Sequence, residues 1–360
     1  MGVHHEEETA HRNRISASTV RLERGGADHR DCTGRAGRWK TTGGVCAGAG
    51  LVKGSGVTSG QSGVGSRETG AASRLRAGQR RAAGAPSLHR PAMGEGPHQA
   101  EGTIMKTIVI ANQKGGVGKT STIVHLAFDF AERGLRVAVI DLDTQANASF
   151  TLQAYQMDCS ASDLFTAGTA ALKAALEALP AEPALHLVAS DANLADIEGL
   201  GMAAASAAFR AHIAVLADAG FDVVLIDTAP SLGVGMAAAL YAADAVLSPI
   251  ELEAYSIQGI GRMVTAIANV RQANPSLRFL GMMPSKVDSR NPRHLRHLAE
   301  LRELYPDDVL PTSIGLRSSI ADALASCEPV WHNRKTAARK ATKEVRAVAQ
   351  YVIDQMEIAP

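Results

Sequence analysis

Aromatic side chains make up only 4% of this 360-residue chain, and their distribution says more than their number. All 5 Tyr and all 7 Phe lie at or beyond Phe128, so Trp39 is the only aromatic residue of positions 1–104. Those positions hold 20 of the 34 glycines, and 15 Lys+Arg against 9 Asp+Glu. Ordering a residue costs roughly 1–2 kcal/mol of backbone entropy, and a glycine-rich, like-charged segment with few apolar groups has little to offset it. Residues 1–104 are therefore expected to be a low-complexity, disordered extension, and residues 105–360 one folded domain. Cysteine is sparse too. Cys32, Cys46, Cys159 and Cys327 form no C-x-x-C pair and no even framework, which points to a reducing cytoplasm. No apolar run approaches the ~18–20 residues of a transmembrane helix, and the N-terminus has neither a signal-peptide nor a myristoylation pattern. Beyond position 104, the 22 basic and 27 acidic residues make the folded part net acidic. Nucleic-acid binding must then rest on local basic patches.

Ordered character begins at Met105. Lys106–Ala111 is a β-branched apolar run of the kind found in buried parallel strands. Thr120–Arg133 repeats Ile123, Leu126, Ala127 and Phe130 at helical spacing, and Gly134 stands where a C-cap glycine is expected. Further buried-strand runs are Arg136–Ile140, Val223–Ile226, Ala245–Leu247 and Phe279–Met283, separated by helical stretches such as Ala203–Ala219 and Ile257–Ala273. Lys335–Met356 reads as one helix with an apolar stripe of Val345, Val348, Val352, Ile353 and Met356. Strands alternating with helices predict an α/β fold with a mostly parallel, doubly wound sheet.

Between the first strand and helix lies Gln113-Lys114-Gly115-Gly116-Val117-Gly118-Lys119-Thr120. An ordinary phosphate-binding loop reads G-x-x-x-x-G-K-[ST]. Here Gln113 replaces the first glycine, and Gly118-Lys119-Thr120 keeps the essential end. Glycines let backbone N–H groups converge on phosphates while the following helix aims its N-terminus at the same charge. Lys119 is placed to reach β/γ-phosphates, and the Thr120 hydroxyl to ligate Mg²⁺. Two other strands end in carboxylates: Asp141-Leu142-Asp143-Thr144-Gln145, and Val223–Ile226 followed by Asp227. Positioning and charge neutralisation dominate phosphoryl transfer, and carboxylates at buried strand ends fit both tasks.

Lys114–Thr120 resembles the K-G-G-x-G-K-[ST] signature of the ParA/MinD family of deviant P-loop ATPases, and Asp141–Gln145 is similar to its D-x-D-x-Q segment. The resemblance covers roughly 105–356 and implies the P-loop NTPase fold, with ATP and Mg²⁺ as cofactors. ATP would be held by Lys114, Gly115, Gly116, Val117, Gly118, Lys119, Thr120 and Ser121. Lys114 would reach across a dimer interface to the partner's ATP, in an ATP-dependent homodimer. Asp143 would position the attacking water. Mg²⁺ would be held by Thr120 and Asp227, with Asp141 supporting the metal and lysine network.

Asp227–Gly233, Ala242–Pro249 and Glu251–Gly259 look like ParA, and within that group like the partition proteins of IncP plasmids. Met283–Arg290 falls where the family borders the adenine and then supplies a DNA-facing arginine, and Ile314–Arg317 at its second arginine. Arg290, Arg293, Arg296 and Arg317 are the expected DNA-binding residues, in a stretch (281–343) with 11 Lys+Arg and 7 Asp+Glu. The implied partners are non-specific nucleoid DNA and a ParB-type, KorB-like centromere-binding protein. The implied location is cytoplasmic and nucleoid-associated, with no membrane contact. The rival readings are a MinD-like membrane-cycling ATPase and a non-catalytic nucleotide-gated scaffold. The first needs a basic amphipathic C-terminal helix, and the chain ends Gln350–Pro360 with acidic residues and no basic cluster.

Overall fold

The computed structural model describes residues 104–180, 184–253 and 265–359. The expected extension up to position 103, and positions 257–264 of the expected helix Ile257–Ala273, lie outside them. Among the described residues, seven parallel strands form one sheet: β1 Lys106–Ile110, β2 Val137–Leu142, β3 Gln156–Ser160, β4 Leu185–Ala189, β5 Val223–Thr228, β6 Ala245–Glu251 and β7 Arg278–Ser285. Their spatial order is β3-β4-β2-β5-β1-β6-β7. The helices are α1 Lys119–Glu132, α2 Asn147–Thr151, α3 Ala170–Glu177, α4 Met202–Asp218, α5 Val234–Ala242, α6 over 265–273, α7 Pro292–Leu304, α8 Ser318–Ala325 and α9 Thr336–Met356.

Strand periodicity divides the core in two. Val109, Ala138, Ile140, Val224 and Ile226 face the layer that holds Phe209 and Leu216 of α4 and Ala239 and Leu240 of α5. Ile108, Ile110, Val137, Val139, Val223 and Leu225 face the layer of α1 and α9, where all five residues of the α9 stripe are buried. Each central strand is thus apolar on both faces, as a covered parallel sheet requires. Helix α1 stops at Gly134, whose φ of +89° suits glycine. Gly134 N–H donates to Ala131 O and Leu135 N–H to Phe130 O, a Schellman ending with Leu135 and Phe130 both buried.

Edge strand β3, its neighbour β4, and helices α2, α3, α5, α7 and α8 were not among the expected elements. In β3 only Met157 and Cys159 face inward, so no buried apolar run marks it. Strand β7 carries a bulge: Val246 pairs Phe279 and Leu247 pairs Gly281, leaving Leu280 as the extra residue. Its carbonyl accepts from Tyr351 Oη of α9 at 2.9 Å. Gly281 has φ +121°, and a Cβ there would lie 2.8 Å from Asp308 O. Gly281→Ala should therefore destabilise the fold by about 1–3 kcal/mol of backbone strain, read as a lower urea midpoint. A midpoint equal to the parent's would mean that the bulge relaxes freely.

Candidate functional site

Parallel pairing places the C-terminal ends of β1, β2 and β5 side by side, with Ile110 opposite Asp227 and Asp227 opposite Asp141. The loop leaving β1 turns over this edge into α1. Gly116 and Gly118 have φ of +75° and +96°, and a Cβ on Gly118 would meet Ser285 Oγ at 2.8 Å. Both positions therefore need glycine. The Asn112 carboxamide holds the loop at its start: Oδ1 accepts from Lys114 N–H at 2.8 Å and Nδ2 donates to Pro249 O at 2.8 Å.

Lys119 is buried, and its Nζ donates to Asn112 O at 3.2 Å and, more weakly, to Lys114 O at 3.5 Å. Burial lowers its pKa against the pull of Asp227 and Asp143. Thr120 Oγ1 donates to Asp227 Oδ2 at 2.7 Å, and Thr228 N–H donates to Asp227 Oδ1. Burial, reinforced by neighbouring Asp141 and opposed by the Thr120 hydrogen bond, pushes the Asp227 carboxyl up to about 7. An edge that disfavours its own negative charge is suited to accept a cation.

A cleft of about 490 Å³ opens over the loop, lined by Gly115, Gly116, Gly118, Lys119, Thr120 and Ser121 and, across from them, by Asp143. Asp143 lies one residue beyond β2, so its side chain is free of the sheet. Its Oδ1 accepts from Gln145 N–H at 3.0 Å, which shapes the turn into α2. The other expected residues stand elsewhere. The Val117 side chain packs into the core. Asp141, two residues before Asp143 and still within β2, is fully buried and does not line the cleft. Its Oδ1 accepts from Asp143 N–H at 3.1 Å, and Oδ2 from Ser149 N–H and Oγ at 2.8 and 2.7 Å. In this structure Asp141 anchors the 143–149 loop rather than facing a metal.

Lys114 also points away from the cleft. Its Nζ meets Glu251 Oε2 at 2.5 Å and Glu253 Oε2 at 3.6 Å. Glu251 Oε1 meets Lys286 Nζ at 3.0 Å, and Lys286 donates to Gly116 O. The hydrogen bond that Lys114 donates to Glu251 raises the Lys114 pKa. Burial works against the charge on Glu251, but the two lysines outweigh it and hold the carboxyl below its ordinary range. Sequence reasoning missed Glu251 and Lys286, and also Asn147, Phe150, Pro230 and Leu324 of the cleft wall. Of these, Pro230, Glu251 and Lys286 lie inside segments that resemble the family, and nothing local in the sequence marks their contacts.

The arginines divide. Arg290, Arg293 and Arg296 are exposed at the start of α7 and just before it; the Arg290 side chain is 88% exposed and paired with Asp288 at 3.2 Å. Arg317 instead donates through Nε and Nη2 to both oxygens of Glu344 in α9, at 2.8 and 2.6 Å, with both side chains 19% exposed. A fork so occupied is a fold contact, so the structure separates Arg317 from the other three.

A family described as an AAA domain matches residues 105–279. Two proteins named IncC, from Escherichia coli, are 57% and 55% identical over the whole of both chains, positions 1–104 included. The chromosome-partitioning ATPase Soj of Thermus thermophilus is 32% identical over 68% of this chain and 97% of its own. Among solved structures, cobyrinic acid a,c-diamide synthase from Mycobacterium smegmatis with bound ATP analog and magnesium superposes with a TM-score of 0.55. It is 28% identical, covering 69% of this chain and 93% of that one. The phosphate-type loop, the paired strand-end carboxylates and this full-length similarity lead to one conclusion: the chain belongs to the ParA/Soj family of partition ATPases, with the IncC proteins among its relatives.

Proposed function

We propose that this protein is an ATP-dependent DNA-partition ATPase that works as an ATP sandwich dimer on non-specific DNA and is stimulated by a ParB-type, KorB-like partner. The observation that carries this reading is the cleft itself. Lys119, Thr120 and the loop glycines line one wall and Asp143 the other, and Asp227 lies directly behind Thr120. Thr120 and Asp227, joined by a 2.7 Å hydrogen bond, are the residues that would hold Mg²⁺. Mg²⁺ held by these residues would supply positive charge that offsets the phosphate charge opposing attack. In this assignment Lys119 and the backbone N–H groups of 115–121 bind the phosphates, and Asp143 orients the water. Asp141 acts by holding the Asp143 loop. The outward aim of Lys114 supports a role toward a second subunit, because its amine serves nothing in its own cleft.

Arg290, Arg293 and Arg296 are the DNA contacts in this reading, on an exposed surface that a phosphate backbone can approach. The α9 stripe, which a membrane-cycling relative would present to lipid, is buried against α1 and the sheet. In a cell the protein would then sit in the cytoplasm, on the nucleoid.

Lys119→Ala should weaken ATP binding by roughly a hundredfold or more, since it removes a desolvated charge from the phosphate cradle. Calorimetric titration measures this, and unchanged affinity would sink the assignment of the loop. Asp143→Ala should bind ATP within a few-fold of the parent yet hydrolyse it on the order of a hundredfold more slowly. Single-turnover hydrolysis, with light scattering for a trapped ATP dimer, reads both properties. Normal turnover would move the water-positioning role elsewhere.

Charge reversal at Arg290 and Arg293 should weaken ATP-dependent DNA binding and lower the salt slope by roughly 0.9 for each phosphate no longer neutralised. Arg317→Ala should instead lower the melting temperature, because Glu344 loses both fork donors, and leave the slope unchanged. The opposite pattern would return Arg317 to the DNA face.

A further inference from the structure

We infer, on the reading of the cleft as an ATPase site, that the connector from Ser190 to Gly199 is a brace shared by the two loops flanking the phosphate end, and that Ser149 and Glu198 are positioning residues for hydrolysis. Neither residue lines the cleft. Each instead ties one of the loops to this connector.

The first tie runs through Ser149. The loop carrying Asp143 hangs from Asp141, which accepts from Asp143 N–H and from the Ser149 N–H and hydroxyl. The same Ser149 Oγ accepts from Ser190 N–H at 2.8 Å, and Ser190 is the first residue after β4. One hydroxyl therefore donates to a buried carboxylate and accepts from the next strand's exit. A backbone N–H donor on one side and an anionic acceptor on the other fix its orientation.

The second tie runs through Glu198. The connector is held at its start by Asp191, which accepts from Ser162 N–H at 3.0 Å, Ser162 Oγ at 2.9 Å and Asn193 N–H at 2.8 Å. Leu194 and Ile197 are buried along it. At its far end Glu198 Oε2 accepts from Val234 N–H at 3.0 Å, at the first residue of α5. That helix begins where the loop after Asp227 and Thr228 ends, and Pro230 of this loop lines the cleft. Gly233 makes room for the contact, since a Cβ there would lie 2.2 Å from Glu198 Oε1. A carboxylate at a helix N-terminus satisfies a free N–H and complements the dipole. Here it also sets where the loop from Asp227 must end.

The brace therefore touches the loop of Asp143 on one side and the loop after Asp227 on the other. Its anchors are buried side chains and the Asp191 cap, not nucleotide. Loss of either tie should leave phosphate binding to the 115–121 loop intact and let a catalytic loop wander. A misplacement of about 1 Å can cost up to about a hundredfold in rate.

The test uses the full chain. Ser149→Ala and Glu198→Ala should each lower single-turnover hydrolysis roughly five- to twentyfold, with ATP affinity within about twofold of the parent. Ser149→Thr keeps the hydroxyl and Glu198→Gln keeps an acceptor oxygen, and both should recover most of the rate. An unchanged rate in either alanine variant overturns the brace. So does a fall in affinity that matches the fall in rate, since that marks general loosening. Asp143→Ala, run alongside, separates the levels. If it hydrolyses normally, the reading of the cleft fails and the brace with it; if it is slow while both alanine variants are fast, the brace alone fails.

Discussion

Two carboxylates, Asp141 and Asp227, lie opposite each other in register on β2 and β5, and neither is exposed to solvent. Burial pushes both carboxyls upward, with neighbouring Asp141 adding to the effect at Asp227 and Asp143 adding to it at Asp141. The fold retains them because each has donors waiting: Thr120 and Thr228 for Asp227, Ser149 and Asp143 N–H for Asp141. Those donors sit in the phosphate loop's helix, in the next residue of β5, and in the loop and helix after β2. The same hydrogen bonds that make the buried charges tolerable also fix the loops of the cleft. Removing a carboxylate from such a pair would release loop geometry as well as charge.

This arrangement explains why the two aspartates of one short motif do different things. A strand residue in register is held by its neighbours, and a residue just past the strand is not. Asp141 is the fifth residue of β2 and points into the sheet edge, while Asp143 lies one residue beyond Leu142 and faces the cleft. A spacing of two would put both on one face if the strand continued. The end of β2 at Leu142 is what parts them.

The same contrast describes how far the sequence could be read. Strands β1, β2 and β5, buried on both faces, show as unbroken β-branched runs, and their ends locate Lys119, Asp143 and Asp227. Edge strand β3 buries only Met157 and Cys159, so Gln156–Ser160 carries no such run. Strand β4, Leu185–Ala189, is fully buried but only five residues long with His186 inside it, too little for periodicity to separate it from a loop. Long-range charge pairing was illegible for another reason. Glu251 is 137 positions from Lys114, and Glu344 is 27 from Arg317. No local pattern states that either the lysine or the arginine will be neutralised, which is why Arg317 read as a DNA contact although Glu344 occupies its fork.

Lys114 follows the same electrostatic logic with a different outcome. Glu251 is shared between Lys114 and Lys286, so the outer lip of the phosphate loop holds two cations against one close carboxylate, with Glu253 farther off. Lys114 is 43% exposed, and exposed ion pairs contribute at most about 1 kcal/mol. If Lys114 swings out, Glu251 keeps Lys286, and Lys286 keeps its hydrogen bond to Gly116 O. The carboxylate is then not left unpaired, which is the costly part of breaking an ion pair. In the proposed dimer, a phosphate carrying more charge than Glu251 would compete for this lysine without disturbing the loop behind it. Glu251 thus stores Lys114 loosely on the outside of the loop, whereas Asp227 and Asp141 hold the inside firmly.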